Sequence, residues 1–394
     1  MDMSRRAGWP QGLVVIMVGI LPMMAIVTLM PIVPALVNNF RDVPNIRTLA
    51  PLVLSAPGLC VAIFSPFAGV MADRLGRRRL LLIFTTLYGI GGVLPYFITS
   101  FAILMASRLL LGVGEAFILT MGNTLLGDYF EKQERSTWLA WQSFMGPALG
   151  ALLIYASGHL STIQWNLPFL IYGLALLMAV FAYFAAFEPQ RAAVDSGGRA
   201  VEAAAATSPF PTALMLRIAV ITFVLSAVYF VFTLQFSLAL DTMGVKDGTE
   251  IGEYGAIAAV GVSVGAILYF FVISGLSTVV QFTIVFMLLG LGMVGIGLSL
   301  GVHATVGLAW IQQLGSGMTI PVLLGWSLRE LPSQFRGRGM GWWASAFFLG
   351  QFISPLFVGF VNGWSGGLLH TFIVAGGLCI AIAVGNALFS RRSA

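Results

Sequence analysis

The stretch on which the fold turns is Gly69-Val70-Met71-Ala72-Asp73-Arg74-Leu75-Gly76-Arg77-Arg78-Arg79. The run before it, 49–72, is apolar, and so is the run after it, 80–98. Each is close to the roughly 20 residues that carry a helix across the hydrocarbon core of a bilayer. Four arginines in the short tract between them are too costly to hold in lipid. The tract therefore marks a membrane face, and the two runs form a helical pair through the membrane.

The rest of the chain repeats this pattern. Of 394 residues, 58% are hydrophobic and 9% charged, with a mean hydropathy of +0.95, which excludes a water-soluble globule. Apolar runs predict helices at 11–37, 49–72, 80–98, 101–127, 136–158 and 167–187, then at 213–240, 251–273, 277–301, 304–328, 340–362 and 367–389. The expected fold is an all-α membrane protein of twelve transmembrane helices. Sixteen of the twenty Lys and Arg residues fall on one side of that arrangement and only Arg41, Arg47 and Lys246 on the other, which predicts that both termini are cytoplasmic. The segment 188–212, rich in Ala and Gly, separates six runs from six. It predicts an N-terminal bundle over 1–187, a cytoplasmic linker over 188–212 and a C-terminal bundle over 213–394. One internal echo points to duplication: Arg135 precedes Trp141 by six residues, as Arg336 precedes Trp342.

Several other chemistries are set aside. The net charge of +5 is spread over short tracts between apolar runs, so it orients the chain in a bilayer rather than binding nucleic acid. Cys60 and Cys379 lie inside apolar runs, and His159, His303 and His370 stand near span ends far apart in sequence. Neither a disulfide framework nor a metal site is expected, and no cofactor is. Arg5 and Arg6 precede the first apolar run, but no small-residue cleavage site follows, so the chain is expected to stay uncleaved. Gly261-Val262-Ser263-Val264-Gly265 and Gly290-Leu291-Gly292-Met293-Val294-Gly295 fit a nucleophile elbow and a dinucleotide fingerprint. Both lie within apolar spans and are read as small-residue helix packing.

The tract from Gly69 to Arg79 resembles the G-x-x-x-D-R-x-G-R-R loop between the second and third helices of the major facilitator superfamily. That resemblance implies two six-helix bundles around a central cavity that opens alternately to each side, and hence solute transport. In the fourth span, Arg108-Leu109-Leu110-Leu111-Gly112-Val113-Gly114-Glu115-Ala116 is similar to the R-x-x-x-G-x-G motif of proton-coupled members. In the fifth, Gly146-Pro147-Ala148-Leu149-Gly150 resembles the G-P-x-x-G core of drug/proton antiporters, although Ala151 stands where a further glycine is usual. The string from Gly112 to Ala116 is also similar to spinster-like lysolipid transporters. Those place an acidic residue in the first helix, and this first span has none.

Physical reading of these residues gives them candidate roles. Glu115 falls mid-span, where a charge is expensive unless it is paired, hydrated or neutral. Arg108 precedes it by seven residues, on the same helix face about 10 Å along the axis. One expectation is a proton-coupling pair, with Glu115 exchanging a proton and Arg108 holding either Glu115 or an anionic group of the substrate. The alternative is a structural ion pair.

The resemblance further implies a conformational latch made of Gly69, Asp73, Arg74, Gly76, Arg77, Arg78 and Asp128. In it Asp73 faces the start of the eleventh helix near Gly339 and Gly341, while Arg77 or Arg78 meets Asp128. The bland reading is a set of charges that only orients the loop. Gly146, Pro147 and Gly150 permit close packing or a hinge in the fifth helix, and Pro22, Pro31 and Pro34 make the first bendable. A substrate cavity is sought among Asn123, Gln142, Tyr229, Phe232, Gln235, Trp310, Gln312, Gln313 and Gln351, each of which could equally be a packing hydrogen bonder.

The expected function is a monomeric, proton-coupled secondary transporter of the inner membrane that exports a small amphipathic or anionic organic compound. Its expected partners are that substrate, protons and the bilayer. The alternatives are a spinster-like lysolipid carrier, an organic-anion/proton symporter, or a receptor or scaffold that keeps the fold without transporting.

Overall fold

A computed structural model describes residues 7–189, 211–332 and 335–391. Most of the expected linker lies outside the described residues. The chain runs through α1 (Trp9–Asn39), α2 (Ile46–Leu75), α3 (Arg77–Phe97), α4 (Phe101–Tyr129), α5 (Lys132–Ile163) and α6 (Leu167–Ala185). It continues through α7 (Thr212–Thr242), α8 (Gly248–Ile273), α9 (Thr278–Leu298), α10 (Val302–Glu330), α11 (Arg336–Ser365) and α12 (Leu368–Arg391). Among the described residues, ten of these helices are long and apolar enough to cross a membrane. Helices α5 and α10 cover the expected runs at 136–158 and 304–328, but they carry Gln133 and Gln142, and Gln312 and Gln313, and are not among the ten.

Where the helices break, their backbone groups are picked up elsewhere. In α1 the regular α-helix stops at Val27, a 3-10 turn occupies Met30–Ile32, and helix resumes at Val33–Asn39. Pro31 and Pro34 have no N–H to give, and the Leu29 N–H turns to Ile26 O instead of Ala25 O. The released Ala25 carbonyl accepts the Tyr172 hydroxyl at 2.9 Å, and the Thr28 carbonyl accepts the Ser157 hydroxyl. The bend in α1 is thereby fastened to α6 and α5.

Helices α1 to α6 pack mainly on one another: α4 on α2 and α3, α1 on α5, α4 and α6, and α3 on α6. In the second half α9 packs on α10 and α12, α7 on α11, and α8 on α10. Two seams join these sets, α5 against α8 and α2 against α11. Lipid tails supply no hydrophobic drive for helices to associate, so close van der Waals approach has to do it, and that needs small residues. At the first seam Gly158 and Gly252 meet backbone to backbone, and a Cβ on Gly252 would stand 2.8 Å from the Gly158 Cα. At the second, Gly58 lies against the Phe348 carbonyl, and the Ser345 hydroxyl donates to Ala62 O at 2.9 Å.

Both glycine motifs set aside as helix packing have close partners of this kind. Gly265 lies against the Leu314 backbone of α10. Gly290 faces the Gly376 carbonyl of α12, while Gly292 and Gly295 face Gln312 and Leu308 of α10.

Replacing Gly252 with Leu should force α5 and α8 apart, lowering the melting temperature and the monodisperse fraction in fluorescence-detected size exclusion. Gly307 of α10 has open space at its Cβ position, so Gly307→Ala should instead stabilise slightly, by about 0.5–1 kcal/mol.

Candidate functional site

The basic tract is organised around Glu188. Gly76, at φ +88°, ends α2 and starts α3 in a backbone region that suits glycine. The two Glu188 carboxylate oxygens accept the N–H groups of Arg77 at 2.7 Å and Arg78 at 2.9 Å, capping the first turn of α3 where unpaired donors and the helix dipole favour an anion. A Cβ at position 76 would lie 3.1 Å from that carboxylate. The Arg78 guanidinium donates to Ala186 O and Tyr183 O, both at 2.7 Å, and Arg77 pairs with Asp128. The Tyr129 hydroxyl donates to Phe187 O at 2.6 Å. The tract thus ties the end of α4 to the end of α6. Glu188 was not among the expected site residues; the available signal was an acid immediately after the sixth apolar run, facing an arginine tract. Arg74 is exposed and Gly69 has open space beside it, while the side chain of Asp73 lies outside those described.

Arg108 is fully buried, and its position follows from a proline. Pro95 cannot return an N–H to the Gly91 carbonyl one turn earlier, and α3 tightens there into a 3-10 turn over Leu94–Phe97. Arg108 Nη2 donates to both Gly91 O and Gly92 O at 3.0 Å. Its guanidinium stacks over the rings of Tyr172 at 4.9 Å and Phe169 at 5.1 Å. Among the described residues, Nε and Nη1 make no hydrogen bond of normal geometry.

Glu115, 1% exposed, lies two turns along the same face. No ion pair or hydrogen bond joins it to Arg108 among the described residues, and neither carboxyl oxygen has a partner. Cys60, Tyr88 and Tyr172 are within its electrostatic reach. Next to it on α4, Gly112 approaches Pro57 of α2 and Gly114 approaches the Phe84 carbonyl of α3, so the carboxyl is held between three helices. Tyr88 and Tyr172 fix the cluster to α1: Tyr88 donates to Leu21 O at 2.6 Å and Tyr172 to Ala25 O.

The other expected residues take part in several helix contacts. Gln142 fills the gap beside Gly19 of α1, and Gly150 receives Met23, whose sulfur lies 4.0 Å from the Cβ position of Gly146; Pro147 sits between them within α5. Gln312 and Gln351 are fully buried with both amide atoms unpartnered, the first beside Gly292 and the second beside Gly58 across the α2–α11 seam. Gln313 packs on Gly261. In α7, Gln235 and Phe232 are buried, with Phe232 stacked on Phe236, and Tyr229 lies edge-on to Phe230. Trp310 is half-buried and Asn123 exposed.

Arg108→Met keeps the length and removes the donors. Each orphaned carbonyl should cost about 1–3 kcal/mol. The purified protein should melt several degrees lower, and an unchanged melting temperature would deny Arg108 its role as a cap on α3.

Comparison with known proteins places this geometry. A family model described as Major Facilitator Superfamily matches residues 15–311. A triacylglyceride transporter of Mycobacteroides abscessus is 29% identical over 41% of this chain and 32% of its own length. The class B tetracycline resistance protein of Escherichia coli is 29% identical over 40% of this chain and 39% of its own. Protein spinster homolog 3 of Danio rerio is 27% identical over 53% of this chain and 47% of its own, so the chain spans less than half the length of each of these relatives. The crystal structure of a D-xylose–proton symporter superimposes with a TM-score of 0.78 over 96% of both chains at 16% identity, a likeness of fold. With the family model matched over well more than half of its residues, the chain belongs to the Major Facilitator Superfamily and is a multi-pass membrane protein.

Proposed function

We propose that this transporter is proton-coupled and exports a small amphipathic or anionic organic compound from the cytoplasm, working by alternating access in the inner membrane. Under this reading all twelve helices span the bilayer, α5 and α10 included, as two six-helix bundles with both termini cytoplasmic. The protein acts as a monomer.

The observation that carries the reading is the Glu115 carboxyl, buried among three helices of the first half with both oxygens unpartnered. A buried acid that makes no hydrogen bond is kept at a cost, and reversible protonation is a function that repays it. Arg108 takes part without pairing directly. Its Nη2 holds the end of α3, and its unpartnered Nε and Nη1 are the donors for an anionic group, either the carboxylate or the substrate. Because Tyr88 and Tyr172 link this cluster to carbonyls of the bent α1, a change of charge at Glu115 reaches a helix able to move. The two glycine-lined seams are where the bundles would rock.

The tetracycline resistance relative favours a drug-like cargo. The triacylglyceride transporter and the spinster homolog favour a lipid-like one, and a lysolipid carrier is the second reading. Flux in proteoliposomes under an imposed pH gradient, screened over lysolipids, lipophilic cations and organic acids, separates the two. Glu115→Gln should fold normally and lose gradient-driven flux while still binding substrate; full coupled transport by that variant would sink the proton role.

The loop tract is proposed as a latch that closes the cytoplasmic side, with Asp73 facing the start of α11 and the Arg77–Asp128 pair bracing the loop from the first bundle. Asp73→Asn should therefore raise the inward-facing fraction. Spin-label distances across the outer gate should shorten in that variant, and an unchanged distribution argues for an orienting role alone.

A further inference from the structure

Helices α8 and α10 are closely joined over 262–266 and 314–317. Gly265 of α8 lies against the Leu314 carbonyl, and Gly317 of α10 lies against the Val262 carbonyl and the Ala266 nitrogen, so neither position has room for a side chain. One turn further along, towards the loop between α8 and α9, both helices lose their regular form. In α8 a π turn occupies Tyr269–Ile273, closed by the Ser274 N–H on the Tyr269 carbonyl at 2.8 Å. In α10 Pro321 has no N–H to return to the Gly317 carbonyl. The Tyr269 hydroxyl joins the two breaks by donating to Pro321 O at 3.3 Å. We infer that the tip of the second half beyond these breaks, the ends of α8 and α10 with the loop 274–277, is a gate that swings as one unit, with Tyr269 as its pin.

Beyond the breaks the tip is tied to itself. The Gln281 amide donates to Ser274 O at 3.2 Å and Leu276 O at 2.8 Å, fixing the loop to the start of α9. Trp326 of α10 meets Phe282 of α9 edge-on at 5.6 Å, and the Arg329 guanidinium donates to the Thr278 hydroxyl at 3.2 Å. Helix α9 is weakened where it enters the tip: its Val279 carbonyl accepts both the Thr283 hydroxyl at 2.8 Å and the Asn386 amide at 2.9 Å. Hydroxyls that bond back to a helix carbonyl in this way bend helices.

Kinks concentrate at prolines and π turns, because there the backbone ladder is missing a bond or displaced by a residue. One such break is a local irregularity. Two on neighbouring helices, bridged by a single hydroxyl, form a common axis. The π turn is packed on one side only, with Tyr269 and Ile273 buried and Phe271 85% exposed between its exposed neighbours Phe270 and Val272. Because α8 also forms the seam with α5, a swing of its end widens or narrows the gap to the first half. The first half is built differently: α2 stays α-helical to Leu75, and the tract after it is bound by Glu188.

Calling this end cytoplasmic rests on the orientation proposed above. The swing itself rests neither on that nor on proton coupling.

Hydrogen–deuterium exchange of the purified full chain, read by mass spectrometry, tests the swing. Peptides covering 269–277 and 322–330 should exchange together, and faster than 250–266 and 304–318. Tyr269→Phe removes the pin alone and should raise exchange in both tip peptides about fivefold, the loss of one hydrogen bond. Pro321→Ala restores the missing donor and should slow exchange in both, α8 included, although the substitution lies in α10. No change, changes confined to the substituted helix, or a rise spread evenly over the helices overturns the common hinge. Spin labels at Leu276 and Glu131, at the same end of the two halves, test the gate. Their distance distribution should broaden in Tyr269→Phe and narrow in Pro321→Ala, and a distribution unchanged in both overturns it. Neither readout uses flux or a pH gradient, so failure here leaves the transport reading standing, and a failure of proton coupling leaves the hinge standing.

Discussion

The structure depends on one constraint: a backbone carbonyl in a medium without water must find a donor. Bends in these helices release carbonyls, and several released near the buried cluster are met by particular side chains. Pro95 frees the Gly91 carbonyl and Arg108 takes it. The break in α1 before Pro31 frees those of Ala25 and Thr28, and Tyr172 and Ser157 take them. Flexibility and polarity are therefore placed together, because a helix able to bend within lipid needs polar side chains beside the bend.

That pairing explains how polar side chains accumulate in the first six helices without opening a channel. Tyr88, Tyr172 and Arg108 each have an assigned backbone acceptor, and the aromatic rings of Phe169 and Tyr172 shield the guanidinium. Glu115 differs, in that among the described residues neither of its carboxyl oxygens has a hydrogen-bond partner. A carboxyl left without a hydrogen bond in so apolar a setting is where gain or loss of a proton has a large effect on energy.

Small residues govern the rest. Gly158 against Gly252 and Gly58 against Phe348 bring the halves of the chain into backbone contact along two lines, and glycines such as Gly114 and Gly290 do the same within each half. The Glu188 cap binds the start of α3 to the end of α6 within one half.

Composition and the spacing of apolar runs were enough to determine a helical membrane protein, because the absence of water forces any spanning segment of that length into a helix. The motif at Asp73 to Arg79 was likewise legible, since charge cannot hide in lipid. The partners were not legible. A spacing of seven places Arg108 and Glu115 on one face, but only the folded chain shows Arg108 turned to α3 and Glu115 left alone, because the nearest acceptor depends on where Pro95 ends a neighbouring helix. The neighbours of Gln142, Gln312, Gln313 and Gln351 were not legible for the same reason. Periodicity specifies which face a residue occupies, whereas packing alone decides which helix that face meets.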